Sequence, residues 1–163
     1  MSAEQKVRTI TVPTRQLLDS LQPLPSGMRA ALWDFDGDPE GVDYADIDAV
    51  VAPYTGGNEW QQGIERVPNL LLLQAQTTGY DGLPELAGDA AVASAAGVHA
   101  AATAELAVGL MLASLRGIDA AVRDQQHGLW NPHRYPGLAD RSVTLVGVGG
   151  IGQEIASRLA PFD

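Results

Sequence analysis

Residues 142–152 read Ser-Val-Thr-Leu-Val-Gly-Val-Gly-Gly-Ile-Gly, and the spacing Gly147-x-Gly149-x-x-Gly152 is one that can hold a dinucleotide. Gly147 permits a tight turn off a strand, Gly149 carries no side chain to block a pyrophosphate, and Gly152 lets the next helix pack closely on a sheet. The amides of Gly150 and Ile151 would then face the phosphates from a helix N-terminus, where the helix dipole favours negative charge. With 18 glycines in the chain the bare pattern arises easily by chance, and it also serves as a packing turn in unrelated α/β proteins. Its setting is what gives it weight. An apolar strand is predicted over 143–146, and a helix over 153–159 with Ile155, Ala156 and Leu159 on one face.

A second candidate is the loop 74–82, Gln-Ala-Gln-Thr-Thr-Gly-Tyr-Asp-Gly, which follows the apolar run 70–74. In an open α/β sheet ligands bind at the carboxyl ends of the strands. Thr78 and Gly79 can offer amides and a hydroxyl to a carboxylate or phosphate; the same residues also make a plain glycine turn. Tyr54 and Thr55, at the end of the preceding strand, are weaker candidates for the same edge.

Other chemistries find little support. His99, His127 and His133 show no ligand spacing with a second histidine or carboxylate, so no metal site is expected. His127 suits the end of a helix, where a cationic ring complements the dipole. Glu105 fits a helix-start or interhelical hydrogen bond better than acid chemistry. No Ser–His–Asp set or carboxylate pair is defensible.

The elements that would position these loops alternate. Strands are predicted over 7–12, 28–33, 49–52, 70–74 and 90–93, and short helices over 15–21 and 59–65, with Pro53-Tyr54-Thr55-Gly56-Gly57 as a loop. From 100 to about 126 the pattern predicts one long helix. Ala104, Leu106, Leu110, Leu112, Leu115, Ile118 and Val122 supply its apolar surface. Strands alternating with helices argue for an open, mostly parallel α/β sheet. The change of pattern near 97–100 predicts two domains, 1–98 and 99–163.

Of the 163 residues, 45% are hydrophobic, enough for a core, and no apolar run has transmembrane length. The net charge of −10 sets aside nucleic acid and anionic membranes as partners. Without cysteine there is neither a disulfide framework nor a thiolate metal site, and Met1-Ser2-Ala3-Glu4-Gln5-Lys6 has no signal-peptide pattern. A cytoplasmic protein is the expectation.

Taken in order, three blocks make the chain resemble the D-isomer-specific 2-hydroxyacid dehydrogenases. The first is 70–81, with Thr78-Gly79-Tyr80-Asp81. The second is Ala102-Thr103-Ala104-Glu105-Leu106-Ala107 running on to Leu115-Arg116, with Gly128-Leu129-Trp130 after it. The third is Leu138-Ala139-Asp140-Arg141-Ser142 through Gly152 to Leu159-Ala160-Pro161-Phe162. The resemblance covers residue 48 onward.

It implies a flavodoxin-like open parallel sheet as substrate domain, followed by the first β-α unit of a Rossmann dinucleotide-binding domain. It implies NAD, with NADP open, and a small 2-oxo or 2-hydroxy acid as substrate. By that resemblance the amides of Thr78 and Gly79 hold the substrate carboxylate, with Thr78 also near the cofactor. Gly147, Gly149, Gly150, Ile151 and Gly152 form the cofactor turn. The helix 100–126 would make a homodimer.

Gly150 departs from the pattern, since many members carry a basic residue there. The family's catalytic arginine, glutamate and histidine have no counterpart in these residues. The expectation is therefore a chain cut off before its second domain closes, inactive alone. The alternative is a non-catalytic module that dimerises or binds a small carboxylate.

Overall fold

The computed structural model describes residues 6–55 and 59–162. The N-terminal residues 1–5 and the loop glycines Gly56 and Gly57 lie outside them. The chain divides into two compact units, Met1–Ala95 and Ala96–Asp163.

The first unit is built on five strands: β1 Thr9–Val12, β2 Arg29–Leu32, β3 Ala49–Val51, β4 Leu72–Gln74 and β5 Ala91–Ala93. All pair in parallel, in the order β2-β1-β3-β4-β5. That is the flavodoxin-like order, in which the chain reverses direction across the sheet at β1 and β3. The helices between the strands are α1 Arg15–Ser20, α2 Glu59–Ile64 and α3 Leu83–Ala87. Each strand lies within one predicted from sequence, because the interior strands are apolar runs bounded by proline, glycine and aspartate. α1 starts where Thr14 caps it, its hydroxyl accepting from the Leu17 amide at 3.2 Å.

The core gathers Trp33, Ile47, Val50, Ile64, Leu73 and Leu83 on one side of the sheet. Each such side chain removed from water contributes about 1.5–3 kcal/mol. One acidic residue aligns three strands at their amino ends. The Asp48 carboxylate accepts from the amides of Arg8 and Thr9 at 2.8 and 2.9 Å. Its own amide donates to the Thr9 carbonyl, and its carbonyl accepts from Leu71 and Leu72.

The second unit departs from expectation twice. The single helix predicted over 100–126 is two helices, α4 Ala100–Leu115 and α5 Ile118–Gln126, bent by 65°. The break is at Gly117, with φ +60°. Its amide closes the last turn onto the Ser114 carbonyl at 3.3 Å, and its carbonyl opens α5 by accepting from Ala121 at 3.0 Å. The Tyr135 ring occupies the space a Cβ would need there, so conformation and packing both demand glycine.

The strand predicted over 143–146 does not form either. Among the described residues this stretch pairs with no other segment, and Val146 is 99% exposed. An apolar alternation becomes a strand only when a neighbour takes its backbone hydrogen bonds. The helix that follows, α6 Gly150–Leu159, forms in full. It packs on α4 beside the buried Ala100, Ala104 and Val108. Arg158 on α6 binds Glu154 one turn back and approaches Glu105 of α4 at 3.6 Å. Glu105 thus makes the interhelical contact that its setting suggested.

Candidate functional site

Three loops carry the candidate residues, two in the first unit and one in the second. In the second unit the chain turns at Gly147, whose φ of +99° excludes an ordinary side chain. Gly149 is the residue before α6, and the first α-helical bond runs from the Gln153 amide to its carbonyl at 2.9 Å. The amides of Gly150, Ile151 and Gly152 therefore precede the first intrahelical bond and stand at the positive end of the dipole.

The three glycines are needed for different reasons here. A Cβ on Gly152 would collide with the carbonyl oxygen of Gly147, so this glycine lets the turn fold back on its own helix. The motif assigned that closeness to packing on a sheet; the structure places it inside the turn. A Cβ on Gly149 would meet no atom within 4 Å, which leaves open the space in front of the free amides. On Gly150 the nearest atom would be the Ala100 Cβ at 4.0 Å, so this residue also sits at the α4–α6 contact. Gln153 adds a brace, its side-chain amide donating to the Val148 carbonyl at 3.2 Å. A pyrophosphate fits this cradle, since it needs a bare glycine edge and helix-terminal amides.

In the first unit, Tyr54 and the pair Thr78–Gly79 lie just beyond the carboxyl ends of the adjacent strands β3 and β4. All three are exposed, so the structure brings the three substrate candidates to one edge of the sheet. The ladder runs past the strand ends, with Ala52 donating to the Gln74 carbonyl at 2.9 Å and Ala75 to the Ala93 carbonyl at 2.7 Å. Gln76 then reaches across, its side chain donating to the Ala52 carbonyl at 2.8 Å. Thr77 donates its hydroxyl to the Gly79 carbonyl at 2.7 Å, while its own carbonyl accepts from Ala95 at 2.9 Å. Gln76 and Thr77 carried no role in the sequence reading. The short polar run 74–78 was the signal available, but cross-strand bonds cannot be read from it.

The histidines take structural places. His127 follows α5, with Nδ1 2.8 Å from the Arg123 carbonyl. His99 precedes α4 as its cap residue, and His133 stands edge-on to Tyr135.

Elsewhere in the first unit, Trp33, Phe35, Tyr44 and Trp60 form an aromatic cluster, with Arg66 over the Tyr44 ring at 4.0 Å. The Tyr44 hydroxyl and Arg66 both donate to Asp38, and they hold its carboxyl below the usual carboxylate range. Burial, followed by that bond to Asp38, pushes the Tyr44 hydroxyl up.

Comparison with known proteins places these loops in context. Residues 108–163 match the family described as D-isomer specific 2-hydroxyacid dehydrogenase, NAD binding domain. The glyoxylate reductase/hydroxypyruvate reductase of Mus musculus is 43% identical over 72 residues, covering 40% of this chain and 22% of that protein. The glyoxylate reductase of Thermofilum pendens is 36% identical over 109 residues, covering 61% of this chain and 32% of that protein.

Among solved structures, a D-isomer specific 2-hydroxyacid dehydrogenase family protein from Aeromonas salmonicida superposes with a TM-score of 0.77 at 20% identity, over 96% of this chain and 51% of that one. An NADPH-dependent glyoxylate/hydroxypyruvate reductase from Sinorhizobium meliloti, solved with NADP and sulfate, gives 0.73 at 21%, over 96% and 50%. At those identities the likeness is one of fold. The chain spans about half of the solved chains and a smaller share of the curated relatives.

Proposed function

We propose that the chain, whose residues 108–163 match the NAD binding domain of the D-isomer specific 2-hydroxyacid dehydrogenase family, is the N-terminal portion of an NAD(P)-dependent 2-oxo acid reductase of that family. Residues 1–98 are its substrate domain, short of a returning C-terminal segment, and residues 99–163 open the cofactor domain. Bound nicotinamide would supply the hydride. The chain's own residues bind and orient: the amides of Gly150 and Ile151 take the pyrophosphate beside Gly147, Gly149 and Gly152, and those of Thr78 and Gly79 take the substrate carboxylate. By the family resemblance we assign Thr78 a second role in holding the cofactor, and, from its place at the same sheet edge, Tyr54 a role in holding the substrate.

The observation that carries this reading is the turn at α6, where Gly152 admits the Gly147 carbonyl and Gly149 leaves the free amides uncovered. The proton donor and the arginine that polarises the carbonyl are assigned to the rest of the protein, so residues 1–163 by themselves are inactive. NAD is the preferred cofactor in this reading, with NADP as the alternative.

A homodimer through α4 and α5 is part of the proposal. Leu106 and Leu110 are 63% and 61% exposed on α4, and Ile118 and Val122 of α5 are also exposed, an apolar surface that a partner would cover. The compartment we assign is the cytoplasm, which a cysteine-free sequence fits.

Calorimetric titration of the full-length protein with NADH and with NADPH tests the reading. Saturable binding of one of them, lost in Gly152→Val, is expected. Binding of neither would refute the cofactor assignment.

A further inference from the structure

The structure assigns Gln76 and Thr77 as positioning residues for the substrate carboxylate: their side-chain hydrogen bonds fix the direction in which the Thr78–Gly79 amides point. The inference rests on the reading of those amides as the carboxylate donors. It starts from the trans peptide, in which a carbonyl and the next amide lie in one plane and point in opposite directions. The Thr77 carbonyl is turned toward the sheet, where it accepts from Ala95 at 2.9 Å. The Thr78 amide, in the same peptide plane, therefore points away from β5.

The next carbonyl but one, that of Gly79, is drawn back by the Thr77 hydroxyl at 2.7 Å. Thr77 thus anchors the chain on both sides of the Thr78–Gly79 peptide, through its carbonyl and through its hydroxyl. Without the second anchor that peptide would be free to rotate, because Gly79 imposes no side-chain restriction.

Gln76 adds a lateral tie. Its side chain donates to the Ala52 carbonyl at 2.8 Å, two residues before Tyr54 on the neighbouring strand's loop. The bond runs within the partly buried floor of the edge, where a side-chain amide left without a partner is costly. It sets the β4 loop against the β3 loop, so that Tyr54 and the two amides keep one spacing. Neither side chain touches substrate in this arrangement; each acts through the backbone it holds.

The test uses the full-length protein, glyoxylate as probe, and whichever of NADH and NADPH it binds. Thr77 is exposed, so Thr77→Val keeps shape and removes only the donor, while Thr77→Ser keeps the donor. Thr77→Val is expected to raise KM for glyoxylate about five-fold, the scale of one net hydrogen bond. Its kcat at saturation and its KM for the cofactor should stay at wild-type values, the pattern of lost ground-state binding. Thr77→Ser should restore the wild-type KM, and Gln76→Leu should repeat the valine pattern.

An unchanged KM in Thr77→Val overturns the assignment. So does a serine variant as impaired as the valine one, or a loss that spreads equally to the cofactor KM. Wild-type protein that binds cofactor but no 2-oxo acid overturns the carboxylate reading itself, and the positioning role with it.

Discussion

The two units treat their apolar residues in opposite ways. In the first, Ile47, Val50 and Leu73 are wholly withdrawn from water beneath α2 and α3. In the second, Leu106, Leu110 and Val148 remain exposed, as do Trp130 at 93% and Val146. The first closes a sheet around its hydrophobic residues; the second holds three helices and a glycine turn, and the stretch 143–146 before that turn pairs with no other described segment. The contrast separates two kinds of structural information. A glycine turn at a helix start is set by local sterics and needs no sheet to exist. A strand and a buried face need a neighbour.

That contrast can be broken by substitution. Gly152→Val places side-chain atoms against the Gly147 carbonyl, and we expect it to abolish measurable NADH binding by the full-length protein while the first unit keeps its stability. Cofactor titration beside urea unfolding checks both halves. Leu73→Ala should do the reverse. It should cost about 2–5 kcal/mol in unfolding of the first unit, the usual range for a buried leucine, with cofactor affinity unmoved.

A smaller effect belongs to Asp48→Ala, which leaves the Arg8 and Thr9 amides without their acceptor. About 1–3 kcal/mol is expected, read by denaturant melting. The smallest is electrostatic. Because Asp38 titrates below its ordinary value when folded, its bonds with Tyr44 and Arg66 contribute above that ordinary value and are lost as pH falls through the folded one. Wild type should exceed Asp38→Asn in stability at neutral pH, and the two should converge below about pH 4. A gap that stays constant into acid would remove Asp38 from the account.

What the sequence made legible follows the same division. The apolar runs at 49–52 and 70–74 announced interior strands, because these signals depend on near neighbours. Gly117 was visible as a glycine inside a helical pattern, but its role as a break depended on Tyr135, eighteen positions away, and on a left-handed φ. The alternation at 143–146 reads as a strand and forms none among the described residues. At the candidate site, the glycines 147, 149 and 152 and the pair Thr78–Gly79 were proposed from type and spacing. The braces at Gln76 and Thr77 were not, because polar loop residues acquire such roles only when adjacent strands bring carbonyls within reach.

The most direct test of the central claim is to follow the hydride. The full-length protein would be incubated with glyoxylate or hydroxypyruvate and NADH or NADPH deuterated at the transferable position, and the product analysed by mass and chirality. The account predicts one deuterium on the 2-carbon of the hydroxy acid, in the D configuration where that carbon is stereogenic in the unlabelled product. Product without deuterium, or no turnover of any 2-oxo acid with either cofactor, would contradict it.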